Sequence, residues 1–296
     1  MTMSRMRSLL FVPADSEKKL AKSESIPADV LILDLEDSVS LANKDRARGL
    51  ICEYLSQKQQ SRSKQIWVRM NPIDHAEAGA DLSAVMPLRP DGIVLPKSRS
   101  PGDIEILSRH MGTYEAEHEI KVGSTQILPV ATETPQSIFA LGDYVDCSTR
   151  LAGLTWGAED LSSALGAISN RDANGAWTDP YRLVRSLCLF AAHAAGVQAI
   201  DTLHADFKDQ KGLETSCFEA RRDGFSGKLA IHPDQVEVIN RAFTPSEEEI
   251  QDAEKIVALF EANPDAGTLA LDGKMLDLPH LLQARKILSA ATGVKS

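Results

Sequence analysis

Cysteine is scarce in this chain of 296 residues: there are four, Cys52, Cys147, Cys188 and Cys217, and none stands in a CxxC pair or with a zinc-type His spacing. A structural zinc module and a disulfide-stapled scaffold are both excluded, and a reduced, cytoplasmic setting is the expectation. Long apolar runs are missing as well. The run behind the basic N terminus, Leu9 to Val12, stops at Pro13, and no stretch approaches the ~20 apolar residues of a membrane span, so neither an export signal nor a membrane partner is expected. Basic charge is in deficit, with 32 Lys and Arg against 42 Asp and Glu. The net charge of −10 argues against nucleic acid as a partner, because a phosphate backbone needs a basic face. Glycine-rich phosphate loops are absent too: neither GxGxxG nor GxxxxGK[ST] occurs.

What is present is the composition of an ordinary folded protein, with 43% hydrophobic and 25% charged residues, which excludes bulk disorder. The length allows two domains or one α/β barrel. Eight short apolar runs recur along the chain: Ser8 to Val12, Val30 to Leu35, Ile66 to Met70, Gly92 to Leu95, Ile127 to Ala131, Leu151 to Trp156, Val197 to Thr202 and Lys228 to Ile231. Between them lie amphipathic stretches such as Lys44 to Gln59, Ile104 to Glu117, Tyr181 to Ala195 and Gly212 to Asp223. Runs apolar at consecutive positions, such as Val30-Leu31-Ile32-Leu33, suit parallel strands buried on both faces.

Eight βα units predict an α/β fold, a (β/α)8 TIM barrel over residues 1–243. The rival, a doubly wound sheet, would carry a glycine-rich loop after its first strand, where this chain reads Pro13-Ala14-Asp15-Ser16. Residues 244–296 form a C-terminal extension. Ser246-Glu247-Glu248-Glu249 is a capping box that opens a helix to about Ala262. Thr268 to Asp277 reads as a hairpin around Asp272-Gly273, and a last helix runs from about Pro279 to Leu288. So short a segment is expected to pack on the barrel or on a neighbouring subunit.

In a TIM barrel, polar residues at the carboxyl ends of the strands converge on one face. Those ends read Asp34-Leu35-Glu36-Asp37, Arg69-Met70-Asn71, Lys97, Glu133, Glu159-Asp160 and His232-Pro233. Glu133 and Asp160 follow neighbouring strands and make an oxygen-rich pair suited to Mg²⁺, or else two carboxylates placed at helix N-termini by the helix dipole. Arg69 sits among Trp67, Val68 and Met70. A buried guanidinium needs a partner, either Asp34, Glu36 or Asp37, or a ligand anion. Lys97 at a strand end invites Schiff-base chemistry, but carboxylates beside it would hold the amine protonated. His232 is either a ligand-facing imidazole or a structural one. Arg7, Lys18, Lys19 and Lys22 are either solvated surface charge or a receptor for phosphates.

Taken together, Arg7-Ser8-Leu9-Leu10-Phe11-Val12-Pro13, Leu33-Asp34-Leu35-Glu36-Asp37-Ser38-Val39, Arg69-Met70-Asn71, Glu133-Thr134, Gly157-Ala158-Glu159-Asp160-Leu161 and Ile231-His232-Pro233 resemble the citrate lyase beta subunit / malyl-CoA lyase group of the HpcH/HpaI aldolase superfamily over nearly the whole chain. The resemblance implies a carbon–carbon lyase that cleaves or condenses a 3-hydroxyacyl-CoA, such as malyl-CoA or citryl-CoA, through a CoA-thioester enolate. It implies Mg²⁺ on Glu133 and Asp160, and Arg69 on the substrate and its enolate oxygen; Glu36 and Asp37 are further catalytic candidates. Coenzyme A, as part of the substrate, would lie against Arg7, Lys18, Lys22 and His232, although Ala14 and Asp15 replace the family's usual Gly and Asn after the proline. Backbone N–H groups near Trp156 to Ala158 would add to the stabilisation of developing charge.

Gly273-Lys274-Met275-Leu276-Asp277 is similar to a lid segment that brings a catalytic aspartate, here Asp277, to a neighbouring subunit's site, which implies a homo-oligomer, by resemblance a trimer. Two other activities fit the same residues. One is a metal-dependent aldolase acting on free 4-hydroxy-2-oxo acids. The other is a citrate lyase beta subunit that works only with an acyl-carrier protein.

Overall fold

The computed structural model describes residues 5–58 and 62–292, which divide into two compact units, Met6–Asn240 and a C-terminal unit from Arg241. The expected end of one helix, Gln59, lies outside the described residues, as does most of the basic N terminus.

The first unit is built on eight parallel strands: β1 (Ser8–Pro13), β2 (Val30–Asp34), β3 (Gln65–Arg69), β4 (Gly92–Leu95), β5 (Gln126–Pro129), β6 (Gly153–Thr155), β7 (Gln198–Asp201) and β8 (Gly227–Ala230). Each pairs with its neighbour in sequence, β8 pairs back onto β1, and parallel bridges Ile127↔Leu151 and Val130↔Thr155 close the ring between β5 and β6. The TIM barrel read from the sequence is therefore present, with strand ends shifted by no more than two residues. The reason is simple: a strand covered by helices outside and side chains inside must be apolar on nearly every residue, and such runs are few elsewhere. Inside, Leu9, Val30, Ile32, Trp67, Val94, Leu128, Val130, Ile200 and Leu229 share one buried core. Gly92 lies opposite Trp67 in the β3–β4 ladder, and a Cβ there would sit 2.3 to 2.5 Å from the indole carbons, so glycine makes room for the largest core side chain.

The barrel also buries an ionic network. Lys228 on β8 is 1% exposed, and its ammonium lies 2.7 Å from Asp201 on β7 and 3.1 Å from Ser216 of the helix Gln210–Asp223. Asp201 also pairs with Arg185 at 3.3 Å and accepts the Trp156 indole N–H at 2.8 Å. Burial alone would raise the Asp201 carboxyl, but Lys228 and Arg185 outweigh it and hold the group below the usual carboxylate range. Asp201→Asn strands a buried ammonium, so unfolding free energy should fall by about 3–5 kcal/mol, measured by denaturant titration. A fall of less than about 1 kcal/mol, the worth of an exposed pair, would show that solvent already relieves Lys228. Because the folded carboxyl is depressed, this part of the stability is present at neutral pH and is lost as the pH falls below the ordinary carboxylate range.

In the C-terminal unit the helix Glu247–Glu261 opens with the expected capping box, Ser246 with Glu249. β9 (Thr268–Leu271) and β10 (Lys274–Asp277) form the expected hairpin, and Asp272 and Gly273 at its tip have φ of 50° and 77°, the left-handed pair that a two-residue turn requires. The last helix, Leu278–Thr292, outruns the expected end at Leu288, since Ser289-Ala290-Ala291 carries no breaker. Phe260, Leu276 and Leu281 form this unit's own small core. Among the described residues no helix is long and apolar enough to cross a membrane, and all four cysteines are free thiols.

Candidate active site

Asp34 and Arg69 end adjacent strands in register, and that register aims one at the other. Arg69 donates from Nε and Nη2 to the two oxygens of Asp34 at 2.7 and 2.6 Å, while its Nη1 lies 3.0 Å from Glu36 Oε2. The guanidinium is also stacked over Phe11 of β1, 4.6 Å from the ring centroid. Burial would raise the Asp34 carboxyl, but the paired Arg69, the Ser38 side chain and the Glu36 N–H hold it below its ordinary value. At Glu36 the balance tips the other way, and burial pushes the carboxyl up despite Arg69 and Lys97. With five N–H donors, Arg69 can serve both carboxylates and still offer hydrogens to a ligand oxygen.

Lys97 follows β4 with φ of 51°, a left-handed conformation uncommon outside glycine. Its N–H donates to Glu133 Oε2 at 2.5 Å. Its ammonium bonds Glu36 and lies 3.4 Å from Asp160 and 3.5 Å from Asp37. Although burial works against the charge, Glu36, Asp160 and Asp37 keep the amine protonated well above its ordinary range. A protonated amine has no lone pair for a carbonyl, which argues against the Schiff-base alternative.

Glu133 is buried beyond β5, and Asp160 lies in the first turn of the helix Ala158–Leu165 after β6. Burial, and then the Asp160 carboxylate, push Glu133 up to about 8. Gly157, the N-cap of that helix, lies against it: a Cβ there would fall 2.7 Å from Glu133 Cγ and 3.0 Å from its Oε1. Glu133 as an anion thus lacks enough positive charge around it, and its partner Asp160 supplies a second hard oxygen donor. Among the described residues no group of three or more His, Cys, Asp or Glu is set to hold a metal ion. A two-carboxylate pair fits an ion such as Mg²⁺, which retains water and substrate oxygens in its remaining positions.

A profile of the HpcH/HpaI aldolase/citrate lyase family matches residues 7–233. The chain belongs to this family. It is 32% identical to the mitochondrial citramalyl-CoA lyase of Rattus norvegicus, across 98% of this chain and 87% of that protein. It is 31% identical to a (3S)-malyl-CoA thioesterase of Cereibacter sphaeroides, across 97% of this chain and 95% of that one. Among solved structures, the Mycobacterium tuberculosis protein CitE in complex with magnesium, acetoacetate and coenzyme A superposes with a TM-score of 0.80 at 31% identity, covering 98% and 99% of the two chains.

Other residues singled out in this HpcH/HpaI family member are placed less uniformly. Asp37 is exposed, linked to the cluster through Lys97. Lys18 and Lys22 are exposed on the short helix Glu17–Ser23 that follows β1. Arg7 is a correction. It precedes β1, at the opposite end of the barrel from the carboxyl strand ends, and its Nε and Nη2 donate to Asp29 at 2.8 and 2.7 Å. Of the backbone N–H groups expected near Trp156 to Ala158, that of Gly157 is donated to Thr132 Oγ1 at 3.0 Å and is not free for developing charge. His232, beyond β8, stacks on Phe207 with ring centroids 4.7 Å apart. Asp277 ends β10 in the C-terminal unit, its carboxylate 2.5 Å from His280 Nδ1.

Nothing in the sequence singles out Lys44. Its buried ammonium donates to the carbonyls of Leu35 and Glu36 at 2.5 and 2.8 Å and to Asn71 Oδ1 at 2.9 Å, and so ties together the segments after β2 and β3 that carry Glu36 and follow Arg69. A lysine opening an amphipathic helix reads as solvent-facing, and backbone carbonyl partners leave no trace in a sequence.

Proposed function

We propose that this chain is a Mg²⁺-dependent carbon–carbon lyase that splits, or in reverse forms, a 3-hydroxyacyl-CoA of the malyl-CoA, citramalyl-CoA or citryl-CoA kind. The observation that carries the reading is the single cluster in which Lys97 links the Arg69–Asp34–Glu36 group to the Glu133–Asp160 pair. Likeness to a citramalyl-CoA lyase and to a protein solved with magnesium and coenzyme A supports it. Held by Glu133 and Asp160, Mg²⁺ would supply a Lewis acid and a template for the substrate's carboxylate and hydroxyl oxygens.

The chain's own groups do the rest. Asp277 takes the hydroxyl proton, the bond between the hydroxyl-bearing carbon and the α-carbon breaks, and its electron pair passes into the thioester as an enolate. Arg69, locked by Asp34, donates to the enolate oxygen. Protonation at carbon completes an acyl-CoA, and the departing fragment leaves as a 2-oxo acid. Lys18, Lys22 and His232 remain the candidates facing coenzyme A. We assign Asp277 to a neighbouring subunit's site in a homo-oligomer.

A second reading is favoured by the thioesterase relative, which matches the chain as fully as the lyase does. A panel of 3-hydroxyacyl-CoA thioesters with Mg²⁺ decides. Acetyl-CoA or propionyl-CoA with a 2-oxo acid is the expected outcome, whereas free CoA with the intact hydroxy acid would assign the thioesterase. Turnover of free 4-hydroxy-2-oxo acids alone would assign the aldolase, and turnover only with an added acyl-carrier protein would assign a citrate lyase subunit.

A further inference from the structure

Lys97 is the residue whose placement the lyase steps leave unexplained. Four carboxylates, Glu36, Asp37, Glu133 and Asp160, meet around it, and it addresses all four, Glu133 through its N–H and the others through its ammonium. A left-handed backbone at a residue with a side chain is costly, and here it turns the N–H and the ammonium toward the same cluster. The Lys97 side chain is one-third exposed, and its ammonium sits on a flexible four-carbon stem that can withdraw. Asp160, its neighbour at 3.4 Å, is the more exposed of the two proposed metal ligands.

Given the metal reading of Glu133 and Asp160, we propose that the Lys97 ammonium is the resident counter-ion of that site, neutralising Asp160 before Mg²⁺ arrives and being displaced from it, while keeping Glu36, when the ion binds. Two cations cannot share one carboxylate oxygen at contact distance without strong repulsion, whereas Glu36 lies buried between Lys97 and Arg69 and retains the ammonium. Lys97 is thus a positioning residue. It holds the carboxylates apart from one another's repulsion in the metal-free protein and sets how tightly a divalent ion must bind to take its place.

The test measures Mn²⁺ binding without substrate, by the electron paramagnetic resonance of the free ion, for the full chain, for Lys97→Met and for Arg99→Gln. The last removes a cation that pairs with Asp74 and Asp103, outside the cluster, and controls for net charge. Lys97→Met should bind Mn²⁺ about tenfold more tightly and Arg99→Gln about as the unaltered protein does. Metal-free Lys97→Met should also unfold at a lower temperature, with the gap narrowing at saturating Mn²⁺ as the ion replaces the missing charge. If Lys97→Met does not fold, Lys97→Gln is read by the same criteria. Unchanged or weaker Mn²⁺ binding in a folded variant, or an equal gain in Arg99→Gln, overturns the displacement. No Mn²⁺ binding by the unaltered protein would instead remove the metal reading itself.

Discussion

Asp160→Asn should reduce Mg²⁺-dependent turnover by more than about 10²-fold while leaving the barrel folded. The side chain is one-third exposed, and its ion pair is the 3.4 Å approach of Lys97, so little folding energy depends on its charge. Asparagine keeps the volume and removes the anion. Glu133→Gln should lose turnover equally but differ in stability. Glu133 is buried and pushed up to about 8, so in the metal-free protein it is mostly protonated at neutral pH; a neutral amide reproduces that state, and the metal-free variant should unfold no earlier than the unaltered protein. Thermal unfolding with and without Mg²⁺, read beside turnover, separates the two effects: Mg²⁺ should stabilise the unaltered protein and neither variant. Full Mg²⁺-dependent turnover in a folded Asp160→Asn protein would remove the carboxylate pair from the metal site.

The barrel was legible because its constraint is written on consecutive residues: Val30 to Leu33 are each fully buried, as a strand covered on both faces requires. The strand ends were legible by the same rule, which is why Asp34, Arg69, Lys97, Glu133 and Asp160 stand together in the structure. That rule also excludes Arg7 from the carboxyl face. It precedes its strand, and a basic residue near the first strand says nothing until the end on which it lies is considered. What the sequence hides is partner geometry. Nothing in the spacing of Lys97 announces a φ of 51°, and nothing in Gly157 announces that its missing Cβ is the space taken by Glu133. Both depend on contacts between strands that only closure of the ring creates.

Arg69→Lys should lower the turnover number by roughly 10²-fold or more, with Mg²⁺ binding little changed. The guanidinium places Nε and Nη2 on Asp34 and Nη1 toward Glu36 at the same time, a planar fork that a single ammonium cannot reproduce while also donating to a substrate oxygen. The charge survives the exchange, so the two buried carboxylates keep a cation and the fold should hold. Asp34→Asn tests the same geometry from the other side. Arg69 would keep Glu36 but lose its two-point anchor, so the turnover number should fall with less change in KM, the sign of a group out of register with the transition state. Were the Arg69–Asp34 pair only a structural ion pair, both variants would lower the unfolding temperature and leave the turnover number of the folded fraction intact. Turnover and unfolding measured on the same preparations therefore decide whether the fork at the end of β3 acts on the substrate or merely closes the gap between two strands.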